Sequence, residues 1–107
     1  MKKIEAYIKA HRLDDVTLAL HRVEHLGGMS VTEARGVGRG RPAEHGFDEF
    51  HRIVRIEVFC LDELAENVVT TIEKAAHTGL RGDGKVYVLP VENAVRISTG
   101  ERGHQAV

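Results

Sequence analysis

The side-chain pattern of this chain changes period twice, in the same order each time. Ile4, Ala6 and Ile8 alternate with Lys3, Glu5, Tyr7 and Lys9, the period-two signature of a strand with one buried face. From Leu13 the apolar positions become Leu13, Val16, Leu20, Val23 and Leu26, spacings of three and four that stripe one side of a helix. Asp14 and Asp15 suit the positive end of that helix, and Gly27-Gly28 suits its stop. Met29 to Val37, with Val31 and Thr32 as its clearest markers, reads as a second strand. The second half repeats the theme. Ile53 to Cys60 reads as a strand, Asp62 opens a helix striped by Leu64, Val68, Ile72 and Ala75-Ala76 that closes near Gly79, and Lys85 to Leu89 is a fourth strand. Pro90 removes a ladder donor, so a break is expected before a short last segment, Ala94 to Ser98. Strand, helix, strand, taken twice, predicts an α+β fold of the ferredoxin-like split βαβ kind (βαββαβ): an antiparallel sheet with both helices on one face. The other face then needs cover, which neighbouring copies of the chain would supply.

At 107 residues the chain is expected to be one domain, residues 1–107, whose small core favours assembly with further copies. A net charge of −1 with interspersed acids and bases excludes nucleic-acid binding by bulk electrostatics. Glu5, Lys9 and His11 interrupt the first apolar run too early for a secretory leader, and no run is long enough to span a bilayer. The lone cysteine, Cys60, sits in an apolar strand and fits a reducing compartment, so a cytoplasmic protein is expected.

Two stretches break the periodicity. Gly36 to His51 holds five glycine or proline residues and no apolar repeat, so it reads as a long loop of functional character. Thr78-Gly79-Leu80-Arg81-Gly82-Asp83-Gly84-Lys85 packs glycines ahead of a lysine, the composition of an anion cradle in which bare backbone amides and one ammonium hold a phosphate. The same glycines would also serve a helix stop and a tight turn. Arg39, Arg41 and Arg52 bracket the long loop, either as solvated charges or as donors for bicarbonate or another small anion. His21 and His25 stand at helical metal-ligand spacing, and His45 and His51 flank the loop. Neither pair has a third ligand in view, so surface roles are favoured and no metal site is assigned. The pairs Asp14-Asp15 and Asp62-Glu63 read as helix-opening charges rather than acid–base dyads.

With these residues in view, the chain resembles the PII signal-transduction proteins along nearly its whole length. The resemblance runs through Met1-Lys2-Lys3-Ile4-Glu5-Ala6, Lys9, Leu13-Asp14-Asp15-Val16, Met29-Ser30-Val31-Thr32-Glu33 and Gly36-Val37-Gly38-Arg39. Its most specific parts are Thr78 with Gly82-Asp83-Gly84-Lys85-Val86, similar to the family's nucleotide-binding B-loop, and Arg96-Ile97 with Thr99-Gly100-Glu101, similar to its C-terminal loop. Tyr87 stands where the family usually has Phe or Trp. The resemblance implies a homotrimer that binds adenine nucleotides in clefts between subunits and has no catalytic residues. Gly82, Asp83, Gly84 and Lys85 would wrap the phosphates. Gly36, Val37, Gly38 and Arg39 would form the base of the family's T-loop, and Ser30 and Phe59 would lie near the adenine. Arg96 matches the first of two phosphate-reaching arginines, whereas Ser98 replaces the second, which favours ADP or AMP over ATP.

The T-loop departs further. It is about a third shorter than in nitrogen-regulating members, and residues 36–51 contain no tyrosine for uridylylation. Gly40 stands for a glutamine that helps hold magnesium and 2-oxoglutarate, and Ile53 for a lysine that pairs with 2-oxoglutarate. These departures point to a divergent member acting in inorganic-carbon metabolism, with Gly40, Arg41 and Arg52 as candidates for a second anion such as bicarbonate. Its partner would be a bicarbonate transporter or a carboxysome-associated protein. Nitrogen regulation through ATP and 2-oxoglutarate is the alternative. A slow nucleotide phosphatase is the alternative of another class, and a metal-binding trimer of the copper-tolerance type is disfavoured by the glycine-rich loop.

Overall fold

A computed structural model describes residues 1–37 and 50–107. The chain order is β1 (Lys2–Lys9), a 3-10 turn (Ala10–Arg12), α1 (Leu13–His21), β2 (Met29–Gly36), β3 (His51–Cys60), α2 (Asp62–Ala76), β4 (Gly84–Pro90) and a closing 3-10 turn (Gly103–Ala106). The strands form one sheet in the order β2-β3-β1-β4, with every neighbouring pair antiparallel. This is the ferredoxin-like plan that the two changes of period predict.

The period-two pattern decides which face is buried. Ile4, Ala6 and Ile8 of β1 and Val54, Ile56, Val58 and Cys60 of β3 are sealed beneath Val16 and Leu20 of α1 and Val68, Ile72 and Ala76 of α2. One alternating set of strand residues therefore meets both helix stripes, which places both helices on one side. Burial raises the Cys60 thiol above its ordinary range, which leaves it an inert core filler.

The opposite face is neither dry nor bare. Lys3 Nζ lies 3.0 Å from Glu5 and 2.8 Å from Glu57, and the Tyr7 hydroxyl donates to Glu5 at 2.5 Å. Arg55 Nε sits 3.3 Å from Glu57 Oε1, out of line for a hydrogen bond. The Tyr7 and Tyr87 rings meet edge to face at 6.2 Å, and Phe59 and Tyr87 remain 48% and 49% exposed. The Tyr7 hydroxyl and the Lys3 ammonium hold the Glu5 carboxyl below its ordinary range.

Several boundaries differ from the sequence expectation. α1 ends at His21, not at Gly27-Gly28, because bonding switches to the tighter Val23-to-Leu20 and Leu26-to-Val23 turns and His25 takes φ 65°. Histidine is among the residues that tolerate this left-handed geometry. Val23 and Leu26 thus lie beyond the helix, and His25 no longer shares a helix face with His21. The Asp14-Asp15 and Asp62-Glu63 pairs do occupy first turns, yet neither helix has a side-chain cap. Asp15 pairs with Arg12 at 3.1 Å, and Asp62 accepts from the Met1 α-amine at 2.8 Å, which holds its carboxyl below the ordinary range.

β3 begins at His51, so His51 and Arg52 belong to a strand rather than to the loop. β4 extends to Pro90, which is tolerated because β4 is an edge strand. The segment expected over Ala94–Ser98 is instead a turn. Val95 bridges Arg102, Arg96 N–H donates to Glu101 at 2.9 Å, and Gly100 closes the turn at φ 77°. Among the described residues, no helix is long and apolar enough to cross a membrane.

Candidate functional site

The B-loop joins α2 to β4, and its shape follows from one carboxylate. Asp83 accepts the Thr78 amide at 2.8 Å and the Thr78 hydroxyl, so the residues between them close into a ring. Lys9 at the end of β1 adds an ion pair to Asp83 at 3.2 Å and a bond to Thr78 Oγ1 at 3.3 Å, and His77 Nδ1 approaches Asp83 to 3.5 Å. The Thr78 hydroxyl, the Thr78 amide and the Lys9 ammonium together hold the Asp83 carboxyl far below the ordinary carboxylate range. Leu80 N–H donates to Thr78 Oγ1 at 3.1 Å, which pins the loop one residue before Arg81.

Gly79, Gly82 and Gly84 take φ of 81°, 83° and 104°, geometries that side chains rarely adopt. Gly84 is the most constrained of the three. It pairs with Ile8 where β4 meets β1, and a Cβ there would fall 1.7 Å from the Tyr7 carbonyl oxygen.

The loop forms one wall of an open cleft, together with the end of β1 and the base of the β2–β3 hairpin. Of the sequence-predicted residues, this cleft brings together Gly36, Val37, Arg52, Gly82, Asp83, Gly84 and Lys85. Gly38, Arg39, Gly40, Arg41 and His45 lie outside the described residues. Ser30, Phe59, Arg96 and Ser98 do not reach the cleft. Ser30 pairs with Glu57 and Phe59 with Lys3, toward the far end of the sheet. Arg96 and Ser98 follow β4 beyond Pro90, which pairs with Lys2 at that same end.

Lys9, Tyr7, Arg81 and Ile53 also line the cleft, although only the loop glycines and Lys85 carry a local sequence signature for it. Lys9 and Tyr7 belong there through register: Tyr7 lies opposite Lys85 and Ile8 opposite Gly84. The site is lined by the cationic residues Lys9, Arg52, Arg81 and Lys85 and by the loop glycines Gly82 and Gly84. Asp83 is the one carboxylate lining it among the described residues, and Thr78 and Lys9 already engage that carboxylate, so it makes a poor general base. Among the described residues, no three or more metal-ligating side chains come together.

The molecule is thus a ferredoxin-like domain with a glycine-rich loop, carrying Arg81 and Lys85, beside an open cleft at one sheet end. Residues 1–101 match the family described as "Nitrogen regulatory protein P-II". Similar relatives of that name occur in Azospirillum brasilense (50% identity), Rhizobium meliloti (48%) and Haemophilus influenzae (44%), each aligned over the whole of both chains. Among solved structures, the fold is similar to Arabidopsis thaliana PII bound to citrate. The TM-score is 0.85 and the identity 36%, over 99% of this chain and 91% of that one. The chain belongs to the P-II family of regulatory proteins.

Proposed function

We propose that this protein is a homotrimeric regulator in nitrogen control that binds an adenine nucleotide between B-loop and C-terminal turn and passes the binding to a partner through its T-loop. One observation carries the reading. The candidate nucleotide residues of the sheet fall at its opposite ends, with Gly36, Gly82, Gly84 and Lys85 at one end and Ser30 and Phe59 toward the other. A site that uses both sets joins the near end of one copy to the far end of the next. Each copy then supplies both halves, as a closed ring requires.

The names of relatives at 43–50% identity favour nitrogen control over the inorganic-carbon assignment. They do not restore the keto-acid contact, because Ile53 lines the cleft with an apolar side chain where a cation would be needed. The nucleotide itself is then the signal, and it acts by stabilising one loop conformation over another. Calorimetry with AMP, ADP and ATP tests the reading. The adenylates bind, and Lys85→Ala weakens them by about 1.5–3 kcal/mol, the usual worth of a charged hydrogen bond. Bicarbonate and 2-oxoglutarate give no heat in any nucleotide background. Heat from 2-oxoglutarate with magnesium and ATP would restore keto-acid sensing, and unchanged affinity in Lys85→Ala would remove the cleft assignment.

A further inference from the structure

Asp83 is an awkward neighbour for a phosphate. It lines the cleft between Gly82 and Gly84, and the bonds from Thr78 and Lys9 keep its carboxyl ionised well into acid. A carboxylate in that place repels a polyanion unless a cation balances it. Lys9 is that cation. Its ammonium lies 3.2 Å from Asp83 Oδ1, and the two side chains are only 17% and 23% exposed, so solvent screens the pair weakly. His77 Nδ1 approaches Asp83 Oδ2 to 3.5 Å, but from a side chain that is 72% exposed. The backbone of Lys9 is fixed by the sheet: it ends the inner strand β1, opposite Ile53 of β3 and one residue after the Ile8–Gly84 pair with β4. The ring of the B-loop has its own closure, because the Thr78 amide and hydroxyl both donate to Asp83. Lys9 is therefore needed less for the shape of the loop than for its charge balance.

We propose that Lys9 is a positioning residue of this cleft: it acts through Asp83, neutralising that carboxylate so that nucleotides with more than one phosphate are not repelled. The inference rests on reading the cleft as an adenine-nucleotide site. A terminal phosphate carries about two negative charges near neutrality, and each further phosphate adds to them. With Lys9 removed, the repulsion from Asp83 grows with the length of the phosphate chain. The loss then falls on ATP more than on AMP, whereas a residue that only shaped the loop would weaken all of them alike.

The test is calorimetric binding of AMP, ADP and ATP, in magnesium-free buffer, to the wild-type protein and to Lys9→Met, Lys9→Met with Asp83→Asn, Lys9→Arg and Lys85→Ala. Lys9→Met weakens ATP by about tenfold or more and AMP by less than about threefold, and the gap narrows as salt is raised. Adding Asp83→Asn removes the unbalanced charge while keeping an acceptor for Thr78, so the ATP-to-AMP affinity ratio returns toward that of the wild type. Lys9→Arg keeps the charge and the ratio, and the double variant carries the test if Lys9→Met alone fails to fold. Equal loss for all three nucleotides, or no loss, overturns the role of Lys9. A double variant whose ratio stays below that of the wild type overturns it as well, because Lys9 would then be contacting the phosphates itself. Wild-type binding of every nucleotide by Lys85→Ala would instead overturn the cleft reading on which that role rests.

Discussion

At Gly84 the backbone of β4 comes so close to β1 that no side chain fits, and φ 104° would strain one even in open space. Gly84→Ala therefore costs about 3 kcal/mol or more, from left-handed strain and overpacking together, measurable as a shift in urea midpoint. Next to it, Asp83 links stability to acid. Its folded pKa is depressed, so its contribution is present above the unfolded carboxylate range and is lost as pH falls through the folded value. The gap in Tm between wild type and Asp83→Asn should stay full from neutrality down to about pH 4 and shrink only below that. A gap that closes between pH 7 and 5 would show that the Thr78–Asp83 ring is not formed. Both residues stood out in the sequence as members of a glycine-rich loop. Their structural tasks did not, because the Tyr7 carbonyl and the Lys9 ammonium arrive from a strand far earlier in the chain.

Helices and strands were legible wherever one face is buried, since burial is what imposes a period. The limits of α1 were less so. The apolar stripe continues through Val23 and Leu26 because Leu26 still packs on the core, but the backbone has already left the helix at Arg22. A stripe records contact with the core, and a helix is only one way to deliver it. The two helices are also tied by a contact that no periodicity encodes. Arg12, just before α1, donates from Nε at 3.0 Å and from a terminal nitrogen at 2.5 Å to the Ala75 carbonyl in the last turn of α2. Truncating it strips that carbonyl of a charged partner, so Arg12→Ala should destabilise by about 1.5–3 kcal/mol in chemical denaturation. Arg12→Lys should recover only part of this, because an ammonium cannot supply the same fork. Full recovery by lysine would mean that charge alone matters at this position.

For the whole molecule, the sequence predicted the architecture, and part of its candidate set shares one cleft. Gly82 to Lys85 and Gly36-Val37 line one cleft, while Ser30 and Phe59 lie toward the opposite sheet end and Arg96 and Ser98 follow β4 beyond Pro90. Nothing local in the sequence marks that separation, because it follows from strand order and from the return of β4 to the Met1 end of β1. The charged and aromatic sheet face, with Lys3, Glu5 and Glu57 in one network beside exposed Phe59 and Tyr87, is suited to packing against further copies. Native mass spectrometry of the purified protein with ATP or ADP tests assembly and binding in one spectrum. The account predicts a three-chain species that takes up one nucleotide per chain. A monomer, or a trimer whose mass does not change on adding nucleotide, would contradict it.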